Sequence, residues 1–186
     1  MLTVGFDEAG RGPLAGPVCA AAVILPADFP IEILNDSKKL TEKKRLAAEA
    51  VIKEKASWGI ALVDHKKIDE INILEASMLA MKLAFDDMLK KNPDLKISEI
   101  SGITDGTRCP DVPVECRCEP KADGKYPCVM AASILAKTCR DRLMLEMDKK
   151  YPEYGYAKHK GYPTKAHREI CHKLGPSPIQ RLTFKY

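Results

Sequence analysis

Residues Asp7-Glu8-Ala9-Gly10-Arg11-Gly12-Pro13 set two adjacent carboxylates, a cation and two glycines at the end of an apolar run. Three chemistries compete for such a stretch: a dinucleotide-binding loop, a carboxylate-held metal and a plain acidic turn. Gly10 to Ala15 satisfies the pattern G-x-G-x-x-A, but that fingerprint needs a helix to open there so that its first amides meet a pyrophosphate. Pro17 and the strand-like Val18 to Leu25 follow instead, and two carboxylates ahead of the loop repel a diphosphate. The dinucleotide reading is therefore set aside.

A hard metal fits better. Successive side chains of a strand point to opposite faces, so Asp7 and Glu8 share an ion only if the strand ends at Asp7 and Glu8 belongs to the turn. Asp105, before Gly106, closes a second expected strand, and Asp123 in Lys121-Ala122-Asp123-Gly124 precedes a long helix. Carboxylates gathered from strand and loop ends form oxygen sites for magnesium or manganese. Asp-Gly after a strand is equally an ordinary turn, and residue types alone favour the turn at Asp105 and Asp123. Zinc is a poor alternative: Cys109, Cys116, Cys118 and Cys128 lack paired knuckle spacing, and His159, His167, Cys171 and His172 are no better arranged.

The elements that position these residues are legible as patterns. Thr3 to Asp7, Val18 to Leu25, Trp58 to Val63, Glu99 to Thr104 and Val112 to Cys118 read as strands. Helices are expected from Thr41, over Asn72 to Lys90, over Pro127 to Lys149 and over His167 to Lys173. Intermixed strands and helices give an α/β class with a helical C-terminal part. A chain of 186 residues suits one domain, residues 1–186, with about 150–186 as its helical extension. Seven scattered cysteines suit reduced thiols, no apolar run is long enough to cross a membrane, and no signal peptide is evident, so the expected compartment is cytoplasmic. From Lys137 onward there are 12 Lys and Arg against 5 Asp and Glu, whereas the preceding part has 18 against 21. A basic C-terminal part beside an acidic N-terminal one fits a polyanionic ligand, though a solvated helix face accounts for charge alone equally well.

Five ordered stretches, DEAGRGPLAGPV (7–18), NDSKKL (35–40), TDGTRCP (104–110), KADGKYPCVMAASILAKTCRD (121–141) and YGYAKHKGYPTKAH (154–167), resemble bacterial ribonuclease HII, the type 2 ribonuclease H family, nearly end to end. The resemblance implies an RNase H-like fold: a mixed five-stranded sheet flanked by helices, with C-terminal helices that clamp substrate. It implies hydrolysis of RNA in RNA–DNA hybrids, and nicking of duplex DNA 5′ to a single embedded ribonucleotide, leaving 3′-hydroxyl and 5′-phosphate ends. By motif match its four catalytic metal ligands fall on Asp7, Glu8, Asp105 and Asp123, holding two Mn2+ or Mg2+ ions, which overturns the turn reading of the last two.

The same match implies that the backbone of Gly10, Arg11 and Gly12 contacts the ribonucleotide 2′-hydroxyl, the group that separates RNA from DNA. Tyr162 is implied to stack on the sugar of the following nucleotide, while Ser37, Lys38, Lys39, His159 and Lys160 are matched to backbone phosphate contacts. The chain departs from the family in the polar Ser101-Gly102-Ile103-Thr104 before Asp105 and in its C-terminal tail. QRLTFKY (180–186) spaces its apolar residues poorly for a replication-clamp motif. Arg11, where the related ribonuclease HIII has lysine, favours type HII, and the expected state is a monomer. A non-catalytic hybrid binder and another nuclease of the same fold are the competing readings.

Overall fold

The computed structural model describes residues 1–186. Strand β2 (Val18–Ile24) is buried at every position, as a central strand between two helical layers must be. Its Val18, Ala20, Ala22 and Ile24 face one layer, and Cys19, Ala21 and Val23 the other. Around it, β1 (Leu2–Ala9), β3 (Ser57–Val63), β4 (Ile100–Asp105) and β5 (Cys116–Glu119) complete a sheet of order β3-β2-β1-β4-β5. The first three strands pair antiparallel, and β4 and β5 run parallel to β1. The expected mixed five-stranded sheet of an α/β fold is borne out.

Helices α1 (Glu42–Lys55), α2 (His65–Ile71), α3 (Ile73–Lys91) and α4 (Pro127–Lys150) flank the sheet. The α3 face buries Val4, Phe6 and Phe85, with the Phe6 and Phe85 rings 5.9 Å apart. On the other face, α1 and α4 cover β2 with Ile52, Ile134 and Leu135. Gly5 lets α4 approach: a Cβ at that position would lie 2.3 Å from the carbonyl carbon of Cys128. Two short helices, α5 (Tyr156–His159) and α6 (Lys165–Leu174), follow α4.

Several elements differ from expectation, three of them most plainly. The strand expected over 112–118 starts only at Cys116, because Pro113 has no N–H to give a ladder. Helix α2 had no strong periodicity to betray it: seven residues bury only Ile68, and the side chain of Asp64 caps it by accepting from Lys67 N–H at 2.8 Å. Most consequential for function, β1 runs two residues past Asp7, so Glu8 is in the strand and not in the turn.

Candidate active site

Parallel pairing of β1 with β4 aligns Phe6 with Thr104, which makes Asp7 and Asp105 the next residues on adjacent strands. Both therefore leave the sheet on the face that α4 covers. Asp123 comes to them from the short 3-10 turn Ala122–Gly124 immediately ahead of α4. The turn is tied to β4 through Asp105 itself, whose Oδ1 accepts from Ala122 N–H at 2.8 Å. One carboxylate oxygen from each of Asp7, Asp105 and Asp123 lies within 4.8 Å of the others.

Glu8 stands apart from this trio. Strand alternation turns it from Asp7, and its Oε1 lies 3.4 Å from Nη1 of Arg11. It still lines the same cavity of about 460 Å³, and its charge still acts on Asp7. Thus three of the four expected carboxylates converge, and the fourth is held by a cation three residues on.

The electrostatics describe a site short of positive charge. Burial pushes the Asp7 carboxyl well above the usual carboxylate range; the Glu8 and Asp105 charges add to this, and a hydrogen bond from Ser133 opposes it. Burial likewise raises Glu8, with Arg11 offsetting part of the effect. Asp123 is raised by burial, then by Asp105 and Asp36, against the pull of Lys38 and Lys39. Like charges so gathered and half dehydrated are costly unless a cation joins them. All-oxygen donors without thiol or imidazole suit a hard divalent ion, so the residues fit the metal that their pattern suggested.

Gly10, Arg11 and Gly12 line the cavity together with the carboxylates, as do Ser37, Lys38 and Tyr162, and the Tyr162 ring lies beside Gly12. Gly10 needs its missing side chain: at φ 99° it is left-handed, and a Cβ would lie 2.2 Å from Nε of Arg140. Ser37 is buried and shares a 2.8 Å hydrogen bond with Ser133 on α4, so it anchors the Lys38 loop. Tyr162 is 37% exposed, its ring 5.8 Å from Lys137 Nζ and 5.7 Å from Arg140 Cζ.

Three expected phosphate contacts are not in the cavity wall. Lys39 is exposed outside it and acts on Asp123 only through charge. Both ring nitrogens of His159 are spent on backbone: Nε2 lies 2.8 Å from the Tyr154 carbonyl, and Nδ1 accepts from Gly161 N–H at 3.1 Å. Lys160 Nζ donates to the Ala157 carbonyl. These two residues shape the loop that presents Tyr162.

Sequence reasoning missed Ser133, Lys137, Arg140 and Arg181. The first three recur at intervals of four and three, which puts them on one face of α4, and that was the available signal. Arg181 had none. All seven cysteines are free thiols, and no Cys or His joins a ligand cluster. Strand β2 follows the glycine loop directly, as the rejection of a dinucleotide site required.

Comparison with known proteins agrees with this geometry. The family model described as ribonuclease HII matches residues 4–186. The chain is 50% identical over 185 residues to the ribonuclease HII of Vibrio parahaemolyticus, covering 99% of this chain and 84% of that one. It is 53% identical over 184 residues to that of Acetivibrio thermocellus, covering 98% and 69% respectively. Among solved structures, ribonuclease H2 of Pyrococcus horikoshii superposes with a TM-score of 0.73 at 28% identity, covering 100% of this chain and 94% of that one. Bst-RNase HIII, solved in complex with Mn2+, shares the fold at a TM-score of 0.77 and 17% identity, covering 99% and 67%. An acidic trio from β1, β4 and the turn before α4, a glycine loop beside it and end-to-end likeness to these enzymes together mean that the chain belongs to the ribonuclease HII family.

Proposed function

We propose that this ribonuclease H endonuclease cuts RNA in RNA–DNA hybrids and nicks duplex DNA on the 5′ side of a single embedded ribonucleotide, leaving a 3′-hydroxyl and a 5′-phosphate. The observation that carries the proposal is the contact between two kinds of site. The metal-type carboxylates and the Gly10-Arg11-Gly12 backbone line one cavity, which sets a test for a 2′-hydroxyl beside the phosphate to be hydrolysed.

Asp7, Asp105 and Asp123 hold divalent metal in this proposal, with Glu8 as the fourth ligand once it leaves Arg11. Two bound Mg2+ or Mn2+ ions supply Lewis acidity, making water nucleophilic and stabilising charge on the leaving oxygen. The protein's own groups do the positioning. The Ala122 N–H holds Asp105, and Ser133, bonded to Ser37, lines the cavity with Asp7. Lys38, exposed at the cavity, supplies point charge for a backbone phosphate without reading bases. Tyr162 offers an open aromatic face to the sugar of the nucleotide after the ribonucleotide. The segment from about 150 to 186 is the clamping extension, acting as a monomer in the cytoplasm. The ribonuclease HII of Archaeoglobus fulgidus has been solved in complex with PCNA, and shares this fold at a TM-score of 0.77 and 23% identity. Here Gln180 and Arg181 are buried, and Leu182, Thr183 and Lys185 after them are exposed.

Asp105→Asn tests the assignment. Hydrolysis of a hybrid with magnesium should fall by about a thousandfold or more, as for a lost transition-state charge contact, while duplex affinity in chelator stays near wild type. Cleavage by the variant at near wild-type rates would refute the ligand role.

A further inference from the structure

The two largest wholly buried side chains are both cations, Arg140 at 1% exposure and Arg181 at 0%. Neither pairs with a carboxylate; every guanidinium bond goes to a backbone carbonyl. Arg181 donates through Nε to Gly16 at 2.9 Å, through Nη1 to Arg11 at 3.0 Å and through Nη2 to Gly10 at 2.6 Å. Arg140 donates through Nε to Pro17 at 2.9 Å, through Nη1 to Lys160 at 2.9 Å and through Nη2 to Ala15 at 3.1 Å. Burying two charges without counter-ions is expensive. Apolar side chains would fill a core at lower cost, so the planar fork of donors has a specific task.

Peptide planarity shows what that task is. The carbonyl of Gly10 and the N–H of Arg11 belong to one trans peptide and point in opposite directions, as do the carbonyl of Arg11 and the N–H of Gly12. By drawing both carbonyls inward, Arg181 turns both N–H groups the other way. Neither N–H has a partner inside the protein, and both residues line the cavity. Arg140 bridges this loop to the Tyr162 side, because it holds the Lys160 carbonyl and lies 5.7 Å from the Tyr162 ring.

We propose that Arg140 and Arg181 are positioning residues for ribonucleotide recognition: Arg181 aims the Arg11 and Gly12 N–H groups at the 2′-hydroxyl, and Arg140 sets the span from that loop to Tyr162. The inference rests on the functional reading above. Its test is steady-state kinetics of the full chain with magnesium on three duplexes: one embedded ribonucleotide, a continuous hybrid, and all DNA. Arg181→Lys keeps the charge but not the fork, and Arg181→Gln keeps a planar amide without a buried charge.

Both Arg181 variants should lose about tenfold to a hundredfold in kcat on the two ribonucleotide substrates, the scale of a small misplacement, with KM near wild type and an unchanged circular dichroism spectrum. Arg140→Gln should lose more on the single ribonucleotide than on the hybrid, and adding Tyr162→Ala should cost little further there. If the Arg181 variants do not fold, the cycle between Arg140→Gln and Tyr162→Ala decides, with fully additive losses overturning the proposal. Wild-type kcat in the Arg181 variants, or equal losses on both substrates in Arg140→Gln, would overturn it too. A wild-type enzyme that cut all-DNA duplex as readily would instead refute the functional reading, and this inference with it.

Discussion

The rings of His159 and His167 lie stacked, 4.2 Å between centroids and 14° from parallel, beneath the turn that carries Tyr162. Their hydrogen bonds fix opposite neutral tautomers. His159 accepts at Nδ1 from Gly161 and donates from Nε2 to Tyr154, while His167 donates from Nδ1 to the Tyr162 carbonyl at 2.9 Å. The remaining nitrogen of His167, Nε2, is buried and has no partner. A second proton on either ring would thus face a donor or no acceptor at all.

This pair makes the Tyr162 turn acid-sensitive. Burial lowers both imidazoles below their ordinary value, against the backbone hydrogen bonds that raise them. A folded-state pKa below the unfolded one, about 6.5, means stability present above that pH and lost as pH falls through the folded value. Thermal midpoints measured with saturating magnesium should fall from about pH 7.5 to about pH 5. The fall should be shallower in His167→Gln, where one of the two protonations is gone. An equal slope in both proteins would contradict the role given to the pair.

The carboxylate site should respond in the opposite sense. Asp7, Glu8 and Asp123 are all raised, with burial as the leading cause, so their contribution is full below the unfolded carboxylate value and is lost as pH rises through the folded ones. In chelator at neutral pH, Asp7→Asn should therefore be more stable than wild type, by roughly 2–4 °C for each kcal/mol of repulsion relieved. The same variant should lose the stabilisation that magnesium or manganese gives wild type. A less stable variant that kept its full metal response would refute the account of the trio.

Tyr162 is exposed, and its hydroxyl makes no hydrogen bond within the protein, so its removal should leave the fold intact. Tyr162→Ala should reduce cleavage at a lone ribonucleotide by roughly tenfold more than cleavage of a continuous hybrid, the scale of one lost stacking contact. Parallel kcat/KM measurements on the two duplexes check this, and an equal loss on both would argue against a role at the RNA–DNA junction.

What could be read in the sequence was local, and what could not depended on register or distance. The apolar run Val18 to Ile24 announces a strand buried on both faces, and the five strands and main helices follow from such patterns. The convergence of Asp7 with Asp105 depends on the parallel pairing of Phe6 with Thr104, nearly a hundred residues apart in the chain, which no local pattern specifies. The fate of Glu8 turned on two residues of strand: alternation was correctly invoked, but where β1 ended was misjudged. His159 was matched to a phosphate contact by resemblance alone, and nothing in its neighbours told that Tyr154 and Gly161 would occupy its nitrogens. Arg181 was invisible for the same reason, as its meaning lies in three carbonyls about 170 residues away.

One gel puts the central claim at risk. A labelled duplex with a single ribonucleotide, an all-DNA duplex of the same sequence and a full hybrid are each incubated with the protein in magnesium, in manganese and in excess chelator. The account predicts one nick immediately 5′ of the ribonucleotide with a 3′-hydroxyl end, cleavage at many positions in the hybrid, an intact DNA duplex, and no cutting in chelator. Cutting that persists in chelator, or that falls equally on the all-DNA duplex, would contradict it.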